Sequence, residues 1–581
     1  MKYLLLHGLF ALLLLLLYKQ QTYHTADFVW QHLSLLLCLT IAYLEIGILF
    51  FSIPKVQKSK FAARFWAGFT GIFAFSLCLT YLMALGGKFF FHFFMDYQTL
   101  FQYLKDLPEL ASLMQLPAFV PYLAYGILPF LPLLFIVLYQ KKTIPLQQTF
   151  ISLSQKPLLK GLLGISLITI YGFNHRLEGG LWKYWQQNGD PLVNMFTTQS
   201  VFVQTPEVLE SMRQDAIVRQ NYPKNELFER KNIVIIIVDD LRARNMGIYG
   251  YKRPTTPFLS SLEKSGQLVK VETARSNCSF SEGGILATLT ARRFSKIGLK
   301  TFKINDLLKI QNYKINFLLA GKHQSWFHLT NYYGNDIDNF YDSTPIEGIH
   351  PFSDEYVLKA LNQLENADKA GASFFYLHLM SSHPLGVRKE TFNHWQPVRN
   401  RHNEVRGGDT AITNYYDGGV LQTDDFLKQI FLKLAQKGYL QNSVVAIVAD
   451  HGESLGEHYV VGHYSRLYDE QLQIPMLFYG KPIDLQRFKN LKYAFSTDVA
   501  PTLIDCLGLK IPETWEGYSL LKTNGLENRK DYLQMATIFK GWIEKKDTTC
   551  FKYIQNLQSK QAELYDLNAD PNENHNLLLP K

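Results

Sequence analysis

The feature that most constrains the fold is a run of six β-branched residues that ends in two adjacent carboxylates. Ile233–Val238 contains only isoleucine and valine, and Asp239 and Asp240 follow directly. Apolar residues without alternation predict a strand buried on both faces, as in a parallel sheet. Ligands in open α/β sheets collect at the carboxyl ends of such strands. Two acids at this point indicate either a solvated turn or a metal site, because buried carboxylates need a compensating charge.

The first third of the chain is apolar and aromatic, whereas the remainder resembles an ordinary soluble protein. A chain of 581 residues is too long for one compact core, so two or more units are expected. A membrane span takes ~20 apolar residues. We predict an N-terminal multi-span α-helical membrane domain over residues 1–175, with about five helices at Tyr3–Tyr18, Phe28–Ile53, Phe61–Gly86, Ala118–Tyr139 and Leu158–Phe173. No small-residue cleavage site follows Tyr3–Tyr18, so we interpret it as an uncleaved anchor.

The distribution of basic residues predicts the orientation in the membrane. The net charge is a modest +9, and basic residues concentrate in the loops after the second and fourth apolar segments. Positively charged loops stay inside, so everything after Phe173 is expected on the outer side. In a bacterium with two membranes this means a multi-pass protein of the inner membrane with a periplasmic or extracellular soluble domain. The charge pattern does not indicate nucleic-acid binding.

Residues 176–231 are predicted to form a juxtamembrane linker with a helix over Glu207–Arg219. Residues 232–581 alternate strands with helices, which predicts a mainly parallel, doubly wound α/β sheet with a small C-terminal subdomain. The strand candidates are Ile233–Val238, Phe374–Met380, Val444–Val448 and Met476–Tyr479. The helix candidates are Pro257–Ser265, Ser281–Thr290, Asp354–Glu365, Tyr415–Lys437 and Val499–Leu507.

Three polar clusters each follow a predicted strand: Asp239-Asp240, Ser381-Ser382-His383 and Asp450-His451-Gly452-Glu453. Taken alone, His383 could be a capping or surface histidine and His451 a hydrogen-bonded loop histidine. The carboxyl ends of parallel strands share one edge of a sheet, so the clusters together favour a common metal site.

Five cysteines do not form a disulfide framework. Cys38 and Cys78 lie in apolar segments. One pair among Cys278, Cys506 and Cys550 could be bridged, and the sequence does not select it.

Short phrases in the same order along the whole soluble part carry a resemblance to a known family. They include Asp239-Asp240-Leu241-Arg242, Gly247-Ile248-Tyr249-Gly250, Asp450-His451-Gly452-Glu453, Asp498-Val499-Ala500-Pro501-Thr502 and Glu563-Leu564-Tyr565-Asp566. These phrases resemble the sulfatase branch of the alkaline phosphatase superfamily. The resemblance implies an α/β fold of the alkaline phosphatase/sulfatase type with a mainly parallel sheet. The membrane third resembles sulfatase-fold transferases of the bacterial envelope in layout only.

The resemblance bears on the nucleophile. Sulfatases oxidise a Cys or Ser in a Cys/Ser-x-Pro/Ala-x-Arg motif to formylglycine, and neither Cys278 nor Ser281 stands in such a motif. If Thr290-Ala291-Arg292 replaces the family's Thr-Gly-Arg, Ser281 takes the nucleophile position. Cys278 lies three residues too early and stays the alternative nucleophile, with a structural or disulfide role favoured for it. Ser281 also begins a predicted helix, where backbone N–H groups favour a phosphate. The alternative role of Ser281 is a plain N-cap.

An unmodified serine resembles the phosphoethanolamine and phosphoglycerol transferases, including lipoteichoic acid synthases, although those enzymes use threonine. This resemblance implies a divalent metal held by Asp239, Asp240, Asp450 and His451, with Ser281 Oγ as a further ligand. His383 and His463 would contact the phosphoryl group or protonate the leaving oxygen. The imidazole of His451 favours Zn²⁺ or Mn²⁺, with Ca²⁺ or Mg²⁺ as alternatives.

The implied reaction moves a head group from a phospholipid donor in the bilayer to an envelope glycan or lipid A, through a phospho-serine intermediate. Two alternatives remain open. The chain could be a membrane-bound sulfatase or phosphodiesterase, or a non-catalytic sulfatase-like sensor of lipopolysaccharide. The complete set of candidate metal ligands argues against the sensor, and the missing formylglycine motif argues against the sulfatase.

Overall fold

The computed structural model describes most of the chain in two compact units, Met1–Gln199 and Ser200–Lys581. The described residues are 26–86, 104, 107, 117, 119–127, 130–141, 143–176, 180–181, 206–224, 228–324, 329–343, 349–399, 410–489, 491–522, 528–535, 539–546, 548–557 and 559–579.

All the secondary-structure elements among the described residues of the first unit are helices. Its helices are α1 (Ala26–Ser52), α2 (Pro54–Gln57), α3 (Lys60–Gly86), α4 (Phe119–Ile127), α5 (Phe130–Gln140), α6 (Thr143–Ser154) and α7 (Pro157–Arg176). Four stretches are long and apolar enough to cross a membrane: His32–Ser52, Lys60–Thr80, Phe119–Gln140 and Pro157–Arg176. Four of the five predicted segments therefore coincide with helices, and Tyr3–Tyr18 lies outside the described residues. Helix α6 occupies the stretch that was expected to be a basic loop.

The second unit is built on a seven-stranded sheet of order β2-β11-β7-β1-β6-β4-β5. The five strands from β7 to β5 run parallel, whereas β11 pairs antiparallel with both β7 and β2. This confirms the predicted mainly parallel α/β sheet. The strands of this sheet are β1 (Asn232–Val238), β2 (Leu268–Lys270), β4 (Lys314–Leu319), β5 (Asn339–Tyr341), β6 (Ser373–Leu379), β7 (Ser443–Ala449) and β11 (Met476–Tyr479).

Strand β1 lies at the centre of the sheet, and all seven of its residues are buried. Its isoleucines and valines fill both faces, as an uninterrupted β-branched run requires. The four predicted strands correspond to β1, β6, β7 and β11. Two small sheets sit beside the main one: β3 (Thr273–Arg275), β10 (Gln473–Ile474) and β12 (Tyr493–Phe495), and the hairpin β8 (Ser454–Leu455) with β9 (Val461–Gly462).

Helices surround the main sheet. They are α8 (Pro206–Asn221), α9 (Pro257–Lys264), α10 (Ser281–Thr290), α11 (Ile304–Ile310), α12 (Thr330–Tyr333), α13 (Glu355–Gln363), α14 (Ala367–Ala370), α15 (Thr410–Gln436), α16 (Asp469–Leu472), α17 (Pro482–Leu485) and α18 (Val499–Cys506). Single 3₁₀ turns occur at Ala243–Asn245, Gly247–Tyr249, Phe294–Lys296, Glu390–Phe392, Leu440–Asn442, Glu457–Tyr459 and Ser496–Asp498.

The C-terminal part contains a four-stranded antiparallel sheet of order β13-β14-β15-β16. Its strands are β13 (Asn528–Met535), β14 (Phe539–Lys546), β15 (Thr549–Asn556) and β16 (Ala562–Asp566). Alternate residues of β13 are buried, which is the pattern of a sheet with one face on the core. Beneath this sheet, Lys552 bridges Asp469 and Glu573 at 2.8 and 2.7 Å, and Arg275 pairs with Asp469. The charges are fully buried but balanced, so the network ties the small sheet to the main unit.

All five cysteines are free thiols, including the three in the second unit that could have been bridged. Cys278 is completely buried, and its backbone forms a parallel β-bridge with Gln534 of β13. The structure thus assigns Cys278 a packing role.

Helix α10 makes an unusually close approach to a neighbouring backbone at Gly284. A Cβ atom added there would lie 2.0 Å from the carbonyl oxygen of Asp450, which no side-chain movement can relieve. Alanine normally stabilises a helix interior by about 1 kcal/mol relative to glycine. We therefore expect Gly284→Ala to lower the melting temperature of the full-length protein in detergent, opposite to the helix-propensity effect.

Gly480→Ala is the matched control, because a Cβ there would meet its nearest neighbour at an ordinary 3.6 Å. Equal melting temperatures for Gly284→Ala and the wild type would contradict the close packing of α10 on Asp450.

Candidate active site

The site begins where three neighbouring parallel strands end together. Val238 of β1 is in register with Leu379 of β6 on one side and Ala449 of β7 on the other. Adjacent strands are ~4.8 Å apart, so the residues that follow them are forced into proximity. Asp239 follows β1 and Asp450 follows β7, and both are essentially inaccessible to solvent.

Asp240 reaches the same centre through an unusual backbone conformation. Its φ of +64° lies in the left-handed region, which only glycine adopts readily. The Tyr416 hydroxyl holds this turn, because it donates to the Asp240 carbonyl at 2.6 Å and accepts from the Arg242 N–H at 2.8 Å. Such outliers persist only when the surroundings fix them, and they cluster at functional sites. The turn allows two successive carboxylates to face one centre.

Ser281 is the first residue of α10 rather than its N-cap, which is Phe280. Its Oγ lies 3.1 Å from Nε2 of His451. Nε2 of His451 is also 3.5 Å from Asp450 Oδ2 and 3.8 Å from Asp239 Oδ1. The serine hydroxyl therefore points at the carboxylate cluster, beside the positive end of a helix.

The two remaining predicted histidines complete the opposite side of the cluster. Nδ1 of His463 lies 3.0 Å from Asp240 Oδ1 and 2.7 Å from Glu453 Oε2. Nε2 of His383 lies 3.6 Å from Asp240 Oδ2. The β8–β9 hairpin brings Glu453 and His463 together, because Ser454 pairs with Gly462. The structure thus gathers all seven residues predicted for the site, Asp239, Asp240, Ser281, His383, Asp450, His451 and His463, in one place.

The carboxylates differ in their electrostatics although they are equally buried. Burial, together with the charges of Asp450 and Asp240, raises the pKa of Asp239 well above its usual value. Burial alone would also raise the pKa of Asp240, but the nearby His463, His383 and His451 hold it well below its usual range. Burial opposes protonation of His451, yet the Asp450 and Asp240 carboxylates raise the pKa of His451. The cluster carries excess negative charge that favours any bound positive charge.

The residues present fit a divalent cation. Four carboxylate oxygens accept no hydrogen bond although they are buried: Asp239 Oδ1, Asp240 Oδ1, Asp240 Oδ2 and Asp450 Oδ2. Buried carboxylate oxygens without donors cost several kcal/mol unless a cation satisfies them. Three groups each bring their ligand atoms within 4.8 Å of one another: Asp239-Asp450-His451, Asp240-His451-His463 and Asp239-Asp240-His383. Mixed carboxylate and imidazole donors suit Zn²⁺ or Mn²⁺ better than Ca²⁺.

Several neighbours of the site were not singled out from the sequence. Glu453 accepts from His463, and its position in the phrase after β7 could have signalled this role. His378 lies inside β6 with Nε2 4.0 Å from Asp239 Oδ2. A histidine inside an otherwise apolar strand is the sequence feature that could have indicated its place beside the site. Glu282 is buried directly beside Ser281, and burial raises the pKa of its carboxyl to about 7. No sequence pattern marked this last position.

The hairpin that carries His463 is fixed at its tip by His458. Nδ1 of His458 lies 2.7 Å from Glu470 Oε1, its Nε2 lies 3.2 Å from the Glu573 carbonyl, and its ring stacks on Tyr468. His458 has a left-handed φ of +48°, so its side-chain contacts hold a strained backbone. The hydrogen bond to Glu470 raises the pKa of His458.

Comparisons with known proteins match the same part of the chain. Residues 231–509 match the family described as Sulfatase, and residues 456–580 match the family described as N-sulphoglucosamine sulphohydrolase, C-terminal. Similar curated proteins include the Delta 4,5-hexuronate-2-O-sulfatase of Bacteroides thetaiotaomicron, 29% identical over 32% of this chain and 38% of that protein. The Kdo(2)-lipid A phosphoethanolamine 7''-transferase of Escherichia coli K12 is 27% identical over 48% of this chain and 52% of its own length.

The chain thus spans about a third to a half of the length of the curated relatives it matches. Among solved structures, the integral membrane protein lipooligosaccharide phosphoethanolamine transferase A from Neisseria meningitidis aligns with a TM-score of 0.46 at 16% identity. That alignment covers 82% of this chain and 97% of the other.

Chelation should destabilise the protein, because it leaves the buried carboxylates without a compensating charge. We expect excess EDTA to lower the melting temperature of full-length protein in detergent by several degrees, and Zn²⁺ or Mn²⁺ to restore it. A cation at 100 times its Kd contributes about 2.7 kcal/mol to stability. In the Asp450→Asn variant, EDTA and metal should have little effect. A wild-type melting temperature that changes with neither EDTA nor added metal would refute cation binding at this cluster.

The raised pKa of His458 predicts a pH-dependent contribution to stability. A folded-state pKa above the unfolded value of about 6.5 stabilises fully below that pH, and the contribution is lost as pH rises through the folded pKa. The melting-temperature advantage of wild type over His458→Gln should therefore shrink as the pH rises above about 6.5. The control is His575→Asn, since the His575 side chain is 85% exposed. An advantage that is constant or grows with pH would contradict the assignment.

Proposed function

Because residues 231–509 are a domain of the sulfatase family, we propose that the chain is a membrane-anchored, metal-dependent enzyme that acts on phosphoesters at the outer surface of a bacterial inner membrane. Its proposed reaction transfers a phospholipid head-group phosphoester, phosphoethanolamine or phosphoglycerol, to an envelope glycan or lipid A. The observation that carries this proposal is the position of Ser281, a serine outside any formylglycine motif. It lies at the start of α10, with Oγ 3.1 Å from His451 Nε2.

The proposed first step uses the serine hydroxyl as the nucleophile. The partly exposed Ser281 hydroxyl loses its proton to water. The bond between Ser281 Oγ and phosphorus then forms while the bond from phosphorus to the diacylglycerol oxygen breaks. A divalent cation held by Asp239, Asp240, Asp450 and His451 would supply positive charge to the phosphoryl oxygens and lower the pKa of the serine hydroxyl. The N-terminal N–H groups of α10 point toward the same region and add fixed positive charge.

The leaving diacylglycerol oxygen needs a proton, and His383 and His463 are the candidates to donate it. Both rings face Asp240, and their centroids are 5.4 Å apart. In the second step, the oxygen of the acceptor hydroxyl bonds to phosphorus while the bond from phosphorus to Ser281 Oγ breaks. The histidine that protonated the diacylglycerol oxygen accepts the proton of the acceptor hydroxyl. Water in place of the acceptor would give a phosphodiesterase.

A sulfatase is the second candidate. The adjacent Asp239 and Asp240 and the similarity to the hexuronate sulfatase favour it. The sequence after Ser281, Glu-Gly-Gly-Ile, lacks the proline or alanine and the arginine that formylglycine formation requires in the resembled family. A non-catalytic sensor of lipopolysaccharide is the third candidate. It is the least favoured, because a sensor does not require a set of buried carboxylates without hydrogen-bond partners.

Replacing Ser281 tests the proposal directly. Ser281→Ala should lower turnover of labelled phosphatidylethanolamine or phosphatidylglycerol by at least about 10³-fold, because loss of a nucleophile removes the covalent route. Ser279→Ala is the matched control, since the Oγ of this buried serine two residues earlier has no hydrogen-bond partner. Unchanged turnover by Ser281→Ala would refute the nucleophile.

Mass spectrometry of the Ser281 peptide after incubation with donor separates the candidates. A phosphoryl adduct that a suitable acceptor removes supports transfer. A loss of two hydrogens indicates formylglycine and supports the sulfatase. If the protein with saturating Mn²⁺ or Zn²⁺ turns over no phosphoester and no sulfate ester, the sensor becomes the better account.

A further inference from the structure

Helix α10 is a rigid unit whose position determines where Ser281 lies. Every residue from Glu282 to Thr290 is buried, so the helix has no face on which it could move freely. At its N-terminal end, Gly284 packs against the Asp450 carbonyl with no room for a methyl group. A displacement of the helix therefore changes the distance between Ser281 Oγ and the groups that follow β7.

The C-terminal end of α10 is held by a buried arginine. Ala291 ends the helix with a left-handed φ of +53°, and Arg292 follows. Nη2 of Arg292 donates to Asp215 Oδ1 at 2.6 Å, and Nη1 donates to Ser211 Oγ at 2.8 Å. Arg292 is 2% exposed and Asp215 is fully buried. A charged pair without solvent is geometrically demanding, because any separation leaves two uncompensated charges.

Both acceptors belong to α8, the helix that leads from the membrane segments into this unit. Asp215 Oδ2 also accepts from the Phe302 N–H at 3.1 Å, and Ser211 Oγ donates to the Lys296 carbonyl at 2.9 Å. Val208 and Met212 pack on Gly298 so closely that a Cβ there would lie 2.5 Å from the Met212 sulfur. Helix α8 is thus an integral part of the unit that carries Ser281, not a loose tether.

We propose that Asp215 is a positioning residue for the serine nucleophile, acting through Arg292 on the C-terminal end of α10. The inference rests on the function proposed above, but it concerns a helix that precedes the sulfatase-family domain. Its consequence is that α8 contributes to catalysis without touching the substrate.

The geometry explains how a contact at one end acts at the other. Ten helical residues span about 15 Å, and a packed helix transmits an axial shift with little bending. A misplacement of about 1 Å at a reacting atom can cost about 10²-fold in rate. Loss of the Asp215 charge leaves the Arg292 guanidinium buried without its anionic partner, which favours a shifted α10.

The test compares Asp215→Asn with Arg219→Ala in the full-length protein, with Ser211→Ala as a milder variant of the same contact. Arg219 also anchors α8, through Asp336 at 3.1 Å and Asp306 at 3.7 Å, and both of these ion pairs are made to residues outside α10. We expect Asp215→Asn to lower kcat per folded molecule at least tenfold with KM within twofold of wild type. Ser211→Ala should lower kcat less, and Arg219→Ala should leave it within twofold.

Hydrogen exchange of the 281–290 peptide supplies a readout that does not depend on turnover. Exchange should accelerate in Asp215→Asn and stay at the wild-type rate in Arg219→Ala. If Asp215→Asn loses only thermal stability, with wild-type kcat and wild-type exchange in this peptide, Asp215 is merely structural and the inference is overturned. If Asp215→Asn does not fold, the same two readouts on Ser211→Ala decide.

The result that would refute the proposed function differs from the result that would refute the role of Asp215. Wild-type protein that turns over neither phospholipid donor refutes the function, whereas the exchange comparison still decides whether Asp215 positions α10.

Discussion

The candidate site depends on the parallel register of β6, β1 and β7. In this register Val238, Leu379 and Ala449 lie side by side, so the chain segments that follow all emerge at one edge. A slip of one residue would turn every side chain of β1 to the opposite face, and both faces are fully buried. The β-branched packing of the core thus fixes the separation between Asp239 and Asp450. The acids are placed by the backbone, and little is left for loop packing to decide.

Burial of the three site aspartates at this edge of the sheet has an electrostatic cost that the surrounding residues do not fully offset. Asp239, Asp240 and Asp450 are buried together, and four of their oxygens accept no hydrogen bond, although His451 and His463 lie beside Asp240. Apolar residues of similar volume would be more stable at such positions. The strained turn at Asp240, held by Tyr416, adds a second local cost in the same place. The proposed binding of a cation and of an anionic ester between Ser281 and the histidines would account for both costs.

Prediction from sequence succeeded where one local pattern determines position. The apolar run before Asp239 identified β1, and the same logic identified β6 and β7 with their terminal residues. Strands β2 and β5 were missed because they have only three residues each. Strand β4 was missed because Lys314 and Asn316 interrupt its apolar residues, so tertiary pairing decides its conformation. The contact of Glu453 with His463 depends on a hairpin of two-residue strands, which leaves hardly any periodicity in the sequence. The ion pair of Asp215 with Arg292 joins residues 77 positions apart, and no local pattern reports such a contact.

The membrane unit bears on which ester the site processes. Four stretches among the described residues are long and apolar enough to span a bilayer, which would tether the chain to a lipid surface. Tethering raises the effective concentration of a membrane-bound donor, whereas it gives no comparable gain for a soluble sulfated sugar. A cation held by the buried carboxylate cluster would serve a sulfate ester and a phosphoester equally, since both need positive charge at the ester oxygens. The tether and the serine without its oxidation motif therefore carry the preference, and both favour transfer from a phospholipid.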